Sequence, residues 1–366
     1  MAAIEIRPLE PKPIEKQKVQ VTTKSQIEIL MLEQKLHNEL KVDDYSASRH
    51  IAKPNVMGRR RIAVAPLDGK IPNLAIMKIV GYHESQNDEV SFYDGLLFAE
   101  QYDKIYFSKL FSFTPMPQLP PNAVIGGTGI DFFNRLPQEI EDAAPSYSLY
   151  PECNYHLGFS MKGCRFNCKF CCVPKKEGRP YNYNTIDEIL TNPKGGNRLM
   201  LLDNDFFGGT DWKINLERII ELKLKVCFVQ GLNIRIITDE QAEILAKCNY
   251  QNSHFNQKYL TFAWDKYNDG KIVKTGIERC IKAGIPSRHM QFFVLIGFDS
   301  TPDQDLERVM TLHELGCMPF VMPYNKSNPY QAAFARWVNH RATFKSCSWS
   351  DYKYKSKMDK PTVACP

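Results

Sequence analysis

Between residues 59 and 322 short apolar runs alternate with helical patterns, and that alternation restricts the fold more than any other feature of the 366-residue chain. Strands separated by helices cannot pair as tight hairpins; each crosses over a helix and returns parallel to its predecessor. Residues 62–65, 89–92 and 104–108 read as strands, 73–82 and 95–101 as helices, followed by the strand that opens Ala123-Val-Ile-Gly-Gly-Thr-Gly. This predicts a small Rossmann-like parallel sheet over 59–146. Further strand-like runs at 199–202, 226–229, 260–263, 290–296 and 319–322 predict a partial (β/α) barrel over 147–325. In such barrels the polar residues at the C-terminal strand ends are the site candidates.

Flanking these are an N-terminal extension, 1–58, and a C-terminal helical extension, 326–366. The first is Pro/Lys-rich and then amphipathic from Ser25, where Ser25 and Glu28 form a capping-box signature; its expected role is docking. In the second, Phe334, Trp337 and Phe344 form a face expected to pack across the barrel, although aromatic and basic residues interleave there as in base-stacking segments. Hydrophobic residues at 43% and charged residues at 24% supply a core, and a net charge of +6 is no nucleic-acid footprint by itself. No apolar run reaches the about 18 residues of a membrane span, and the polar start does not read as a secretory signal, so the expected location is cytoplasmic.

All 11 cysteines lie at or after Cys153, and four fall between Cys164 and Cys172. An odd count in a reducing compartment points to metal or chemistry rather than to a disulfide framework. Cys164, Cys168 and Cys171 are spaced C-x3-C-x2-C, so three thiolates on one loop can hold three irons of a 4Fe-4S cube and leave the fourth open. A zinc site would favour paired C-x2-C units, and no second pair exists. Cys172 falls outside the triplet and reads as a small buried hydrophobe. Gly126, Gly127 and Gly129 follow a strand, but G-x-G-x-x-G is absent, and a tight turn is the plainer reading.

The cysteine loop, with Phe170 immediately before its third cysteine, resembles the radical S-adenosylmethionine (SAM) superfamily. The resemblance implies a partial (β/α)6 TIM-like barrel, a 4Fe-4S cluster on Cys164, Cys168 and Cys171, SAM as co-substrate, and a flavodoxin- or ferredoxin-like electron donor. Phe170 would flank adenine. Asp203, Asn204 and Asp205 stand where the family's amino-group motif lies, although Asp203-Asn-Asp-Phe-Phe-Gly-Gly departs from the usual Gly-Gly-Glu and an Asx-rich turn is the alternative. Asn233 would meet the ribose hydroxyls, Arg235 the methionine carboxylate, and Ile296 and Gly297 the adenine. Trp264 walls the substrate pocket or packs in the core, and residues 303–307 read as a solvated first helical turn.

A Rossmann-like domain ahead of such a barrel also resembles the cobalamin-binding arrangement. In the histidine motif D-x-H-x-x-G, however, Lys70 replaces His and Asn73 replaces Gly, and about ninety residues is short for the task. A degenerate domain for substrate or partner contact is the preferred reading. Methylthiotransferases are a poorer match, since no cysteine precedes Cys153 to hold their second cluster. The function expected is reductive cleavage of SAM and hydrogen abstraction from a substrate that the residues do not name. Other classes kept open are a non-catalytic iron-sulfur or zinc sensor, a cobalamin-dependent methylase, a peptide modifier and a nucleic-acid modifier.

Overall fold

The computed structural model describes residues 58–352. The amphipathic segment beginning at Ser25 and the end of the C-terminal extension lie outside the described residues. Strand β1 (Arg61–Pro66) is followed by helix α1 (Leu74–Ser85), β2 (Glu89–Phe92), β3 (Lys104–Ser108), β4 (Ala123–Gly126) and the short α2 (Gln138–Glu141). The four strands form a parallel sheet in the order β2-β1-β3-β4, with Ile62 of β1 opposite Val90 and Lys104. The helix expected at 95–101 is instead a 3-10 turn, Leu96–Gln101. Its Leu97 is 94% exposed, so the segment lacks the apolar stripe that would hold an α-helix on the sheet.

Beyond it come β5 (His156–Gly158), β6 (Met161–Lys162), α3 (Val173–Lys176), β7 (Tyr181–Asn182), α4 (Ile186–Ile189), β8 (Arg198–Leu201), α5 (Trp212–Glu221) and β9 (Lys225–Phe228). Then follow α6 (Asp239–Lys247), β10 (Asn249–Tyr250), β11 (Leu260–Ala263), α7 (Gly270–Lys282), β12 (Met290–Ile296), α8 (Pro302–Glu314), β13 (Met318–Pro323), α9 (Pro329–Asn339) and α10 (Arg341–Ser346). One parallel sheet has the order β10-β9-β8-β5 and another β11-β12-β13, and a parallel bridge between Leu232 and Phe262 joins them. The chain is therefore mixed α/β with parallel sheets. Among the described residues these sheets do not close on themselves.

Helix α1 explains how the first sheet meets the second. Ile76, Ile79 and Val80 pack with Ile62 and Val64 of β1, whereas Met77 packs with Leu157 of β5 and Met200 of β8. A helix apolar on two sides needs a layer on each. Its N-cap Asn73 accepts from the amides of Ala75 and Ile76 at 3.1 and 3.2 Å and donates to Ser108 Oγ of β3 at 2.9 Å.

Two expectations are settled here by packing. The first turn of α8 is not fully solvated: Asp305 is buried against Arg308 at 2.7 Å, and Arg308 also donates to the carbonyls of Trp264, Asp265 and Leu295. A buried guanidinium stitches the ends of β11 and β12 together, which requires its counter-ion to be buried as well. At the C-terminus, Phe334 and Trp337 of α9 are buried, with Phe344 edge-on to Trp337 at 4.9 Å and Trp349 covering both buried rings, so these aromatics pack as expected. No helix among the described residues is long and apolar enough to cross a membrane.

Candidate functional site: the three-cysteine loop

The antiparallel pair β6–β7, with Met161 opposite Asn182 and Lys162 opposite Tyr181, pinches the base of a loop that leaves the C-terminal end of β5. That loop carries Cys164, Cys168 and Cys171. The adjacent strand end, after β8, fastens it. Asp203 is buried; its Oδ1 accepts from the Ser160 and Met161 amides at 2.8 and 3.3 Å, and its Oδ2 from Ser160 Oγ at 2.5 Å. Asn204 Nδ2 donates to Glu177 Oε2 at 2.9 Å, an oxygen that also accepts from the Gly163 amide. Asp205 receives Arg165 Nε and Nη2 at 2.8 Å each, and the Arg165 amide at 3.1 Å. Three consecutive residues thus hold three points of the cysteine loop. The carboxylates of Asp203 and Asp205 are both engaged by the segment that carries the cysteine loop.

The three cysteines are half-buried and free of disulfides. The amide of Cys171 donates to the Cys168 carbonyl at 3.0 Å, a tight turn that keeps the second and third thiols on one short arc, and the Phe166 amide points at Cys164 Sγ at 3.5 Å. Burial pushes the Cys171 thiol up to about 12, with the neighbouring thiols Cys172, Cys168 and Cys164 adding to the rise; burial raises Cys164 as well. Three soft sulfurs on one loop are the donor type an iron-sulfur cluster takes, and the Arg165–Asp205 ion pair anchors the loop behind them. Among the described residues no three His, Cys, Asp or Glu side chains converge as a finished metal site. Cys172 is half-buried at the start of α3 rather than fully buried, with its carbonyl accepting from the Lys175 and Lys176 amides.

Phe170 reaches across to the segment after β12, where its ring meets Phe298 edge-on at 5.5 Å, and Phe298 meets Tyr324 at 5.1 Å. Ile296 is buried, and its carbonyl accepts from the Tyr324 amide at 3.1 Å. Gly297 has φ +76°, and a Cβ there would lie 1.9 Å from Gln331 Nε2, so only glycine suits the turn. Arg235 lies over the Phe166 ring at 4.3 Å, pairs with Asp269 at 3.1 Å, and donates to Asn233 Oδ1 at 3.3 Å. The structure therefore brings Phe170, Arg235 and the Asp203–Asp205 turn to the cysteine loop. Asn233 orients Arg235, and the Ile296 side chain belongs to the core. Trp264 packs in that core too, donating to the Lys266 carbonyl at 2.8 Å.

Sequence reasoning missed several contributors. Arg165, Glu177 and Asp269 carry no motif; only the strand-end acids could have hinted that partners were needed. Asp265, beside Arg235 and Arg308, is raised to about 6 by burial in spite of those cations. The first sheet reaches the loop through a polar knot in which Lys162 bonds Glu141 at 2.5 Å, Lys78 bonds Tyr183 at 2.8 Å, and Tyr183 donates to Glu141. At the C-terminal edge of that sheet Asp68 accepts from the Leu110 and Phe111 amides and from Thr114 Oγ1. A cavity of about 350 Å³ lined by Pro66, Asp68, Lys70 and Tyr150 opens there. Gly127 and Gly129 serve close packing: a Cβ at either would lie 2.3 or 2.6 Å from the backbone of Lys109 or Phe111, as the tight-turn reading requires.

No family model matches the chain. Over 229 residues, 56% of its length, the chain is 25% identical to the tRNA-2-methylthio-N(6)-dimethylallyladenosine synthase of Aquifex aeolicus, covering 50% of that protein. Over 185 residues, 47% of its length, it is 23% identical to an uncharacterised methyltransferase of Pyrococcus horikoshii, covering 34% of it. The chain thus spans half the length of the first relative and about a third of the second. Both distant relatives are named as enzymes.

Proposed function

We propose that the chain is a radical SAM enzyme, with residues 147–325 as a partial TIM-like catalytic barrel, 59–146 as an accessory Rossmann-like domain, and 326–366 as a packing extension. The observation that carries this reading is the anchored loop presenting Cys164, Cys168 and Cys171 at the C-terminal edge of a parallel sheet, with Phe170 laid against the turn after β12. The distant similarity to a methylthio-group synthase supports it.

When bound, a 4Fe-4S cluster supplies the electron that splits SAM and so yields the 5′-deoxyadenosyl group that takes a hydrogen atom from substrate. The chain's own residues do the positioning. Cys164, Cys168 and Cys171 would hold the cluster, Arg235 would offer a cation next to the loop, and the half-buried Phe170–Phe298 pair would supply an apolar face for a purine. The Arg165–Asp205 ion pair behind the loop would hold the three thiol positions in register. The thiolate donors suit the reducing cytoplasm, and the electron comes from a flavodoxin- or ferredoxin-like protein.

The test is anaerobic reconstitution with iron and sulfide, reduction by dithionite with SAM present, and mass-spectrometric assay of 5′-deoxyadenosine. Wild type forms it and Cys168→Ala does not. An intact cluster that leaves SAM uncleaved would make the protein a non-catalytic iron-sulfur module.

A further inference from the structure

Two routes of contact run from the cysteine loop to the C-terminal edge of the first sheet. One goes through α3, the helix that follows Cys172: Lys176 Nζ donates to Thr128 Oγ1 at 2.7 Å, and Arg135 Nη2 donates to the Lys176 carbonyl. The Thr128 turn in turn lies on the backbone of Phe111 through Gly129. The other goes from Phe170 through Phe298 and Tyr324 to Lys326, whose ammonium lies 5.0 Å from the Phe113 ring centroid. The routes meet where Phe111 and Phe113 stack, 5.3 Å apart and 14° from parallel.

This rim has an unusual composition. Phe111 and Phe113 are 46% and 60% exposed, an expensive use of two large apolar rings. The cations beside them are uncompensated: among the described residues neither Arg135, Lys176 nor Lys326 has a carboxylate within ion-pair distance. Arg135 and Lys176 are held instead by carbonyl and hydroxyl oxygens, which fix their position and leave their charge intact. Flat apolar rings interleaved with unneutralised cations complement a ligand with flat bases and phosphates at intervals.

We infer that the rim joining the Phe111–Phe113 stack to the cysteine loop is a binding site for a single-stranded nucleic acid. An unpaired base lies on the exposed phenylalanine faces, while Arg135 and Lys326 neutralise neighbouring phosphates. A duplex does not fit the same chemistry, because its bases already stack on one another and hide their faces. The inference deepens the proposed function by naming the substrate class of that site, and its test is independent of turnover.

The experiment is fluorescence anisotropy on the full-length, cluster-loaded protein under anaerobic conditions, with a fluorescein-labelled 15-nucleotide oligouridylate as probe and an unlabelled RNA duplex as competitor. Expected are salt-sensitive binding, a loss of about tenfold or more for Phe113→Ala with retention in Phe113→Tyr, and a shallower salt dependence for Lys326→Gln, by about 0.7 in the log–log slope. Ile214→Ser, at an exposed position of α5, should bind as wild type does. The inference is overturned if the oligonucleotide does not bind a protein that cleaves SAM, if the Phe111→Ala/Phe113→Ala double variant binds like wild type, or if the duplex competes as well as the single strand. Failure of SAM cleavage with binding intact would instead sink the enzyme reading alone.

Discussion

Arg165 grips Asp205 through two parallel hydrogen bonds of 2.8 Å, from a guanidinium one residue after the first cysteine to a buried carboxylate after β8. The bidentate geometry fixes direction as well as distance, so the start of the cysteine loop inherits the rigidity of the sheet. Replacing Asp205 by Ala strands a half-buried cation. The expected result is a loss of about 2 kcal/mol in urea unfolding, discounted from a fully buried pair because Arg165 keeps some solvent, together with reduced iron retention after anaerobic desalting.

Cys172 is covalently next to Cys171 but follows the turn that groups the other thiols, and its carbonyl is committed to capping α3. Cys172→Ser should keep a full complement of iron and sulfide after reconstitution, while Cys164→Ser, Cys168→Ser and Cys171→Ser each lose it. Chemical iron and sulfide analysis decides the matter; equal loss from all four variants would move Cys172 into the ligand set.

Asp203 gives a pH signature. Burial raises it from 3.8 to about 7 despite the bonds from Ser160 and Met161 that favour its charged form. A carboxyl with a raised folded pKa binds its proton more tightly folded than unfolded, so its contribution to stability is full below about pH 4 and is lost as pH rises through about 7. Urea midpoints of the apoprotein should therefore fall between pH 4 and 7 more steeply in wild type than in Asp203→Asn. Parallel curves would show that Asp203 remains charged throughout.

Arg308 serves three carbonyls and Asp305 from a fully buried position. Arg308→Met leaves Asp305 buried with Ser300 and Tyr330 as its remaining partners, and should cost about 3 kcal/mol or more in equilibrium unfolding. Arg308→Lys should recover little, because an ammonium cannot span the separate acceptors on two strand ends.

Much of the strand order was legible because β-branched and apolar runs bounded by turns are local signals. The strands read at 260–263 and 290–296 match β11 and β12. The first strand of the second sheet, β5, was not legible: it is three residues, His156–Gly158, with only Leu157 to mark it, and tertiary pairing with β8 creates it. The burial of Asp305 was illegible for the same reason, since an acidic residue in a first helical turn is normally solvated and only the distant demand of Arg308 draws it inward. At the site, thiol spacing is a local pattern and could be read. The roles of Arg165, Glu177 and Asp269 depend on chain segments folded together and could not.

Helix α1 has Met77 set against Leu157 and Met200 on one side and Ile76 and Ile79 against β1 on the other. Prising the two sheets apart would bare both faces to water, at about 25 cal/mol for each Å² of apolar surface. That cost opposes a hinge between the two sheets at α1. In the proposed function, a substrate would be selected by the part it can extend to the cysteine loop rather than by closure of the two sheets around it.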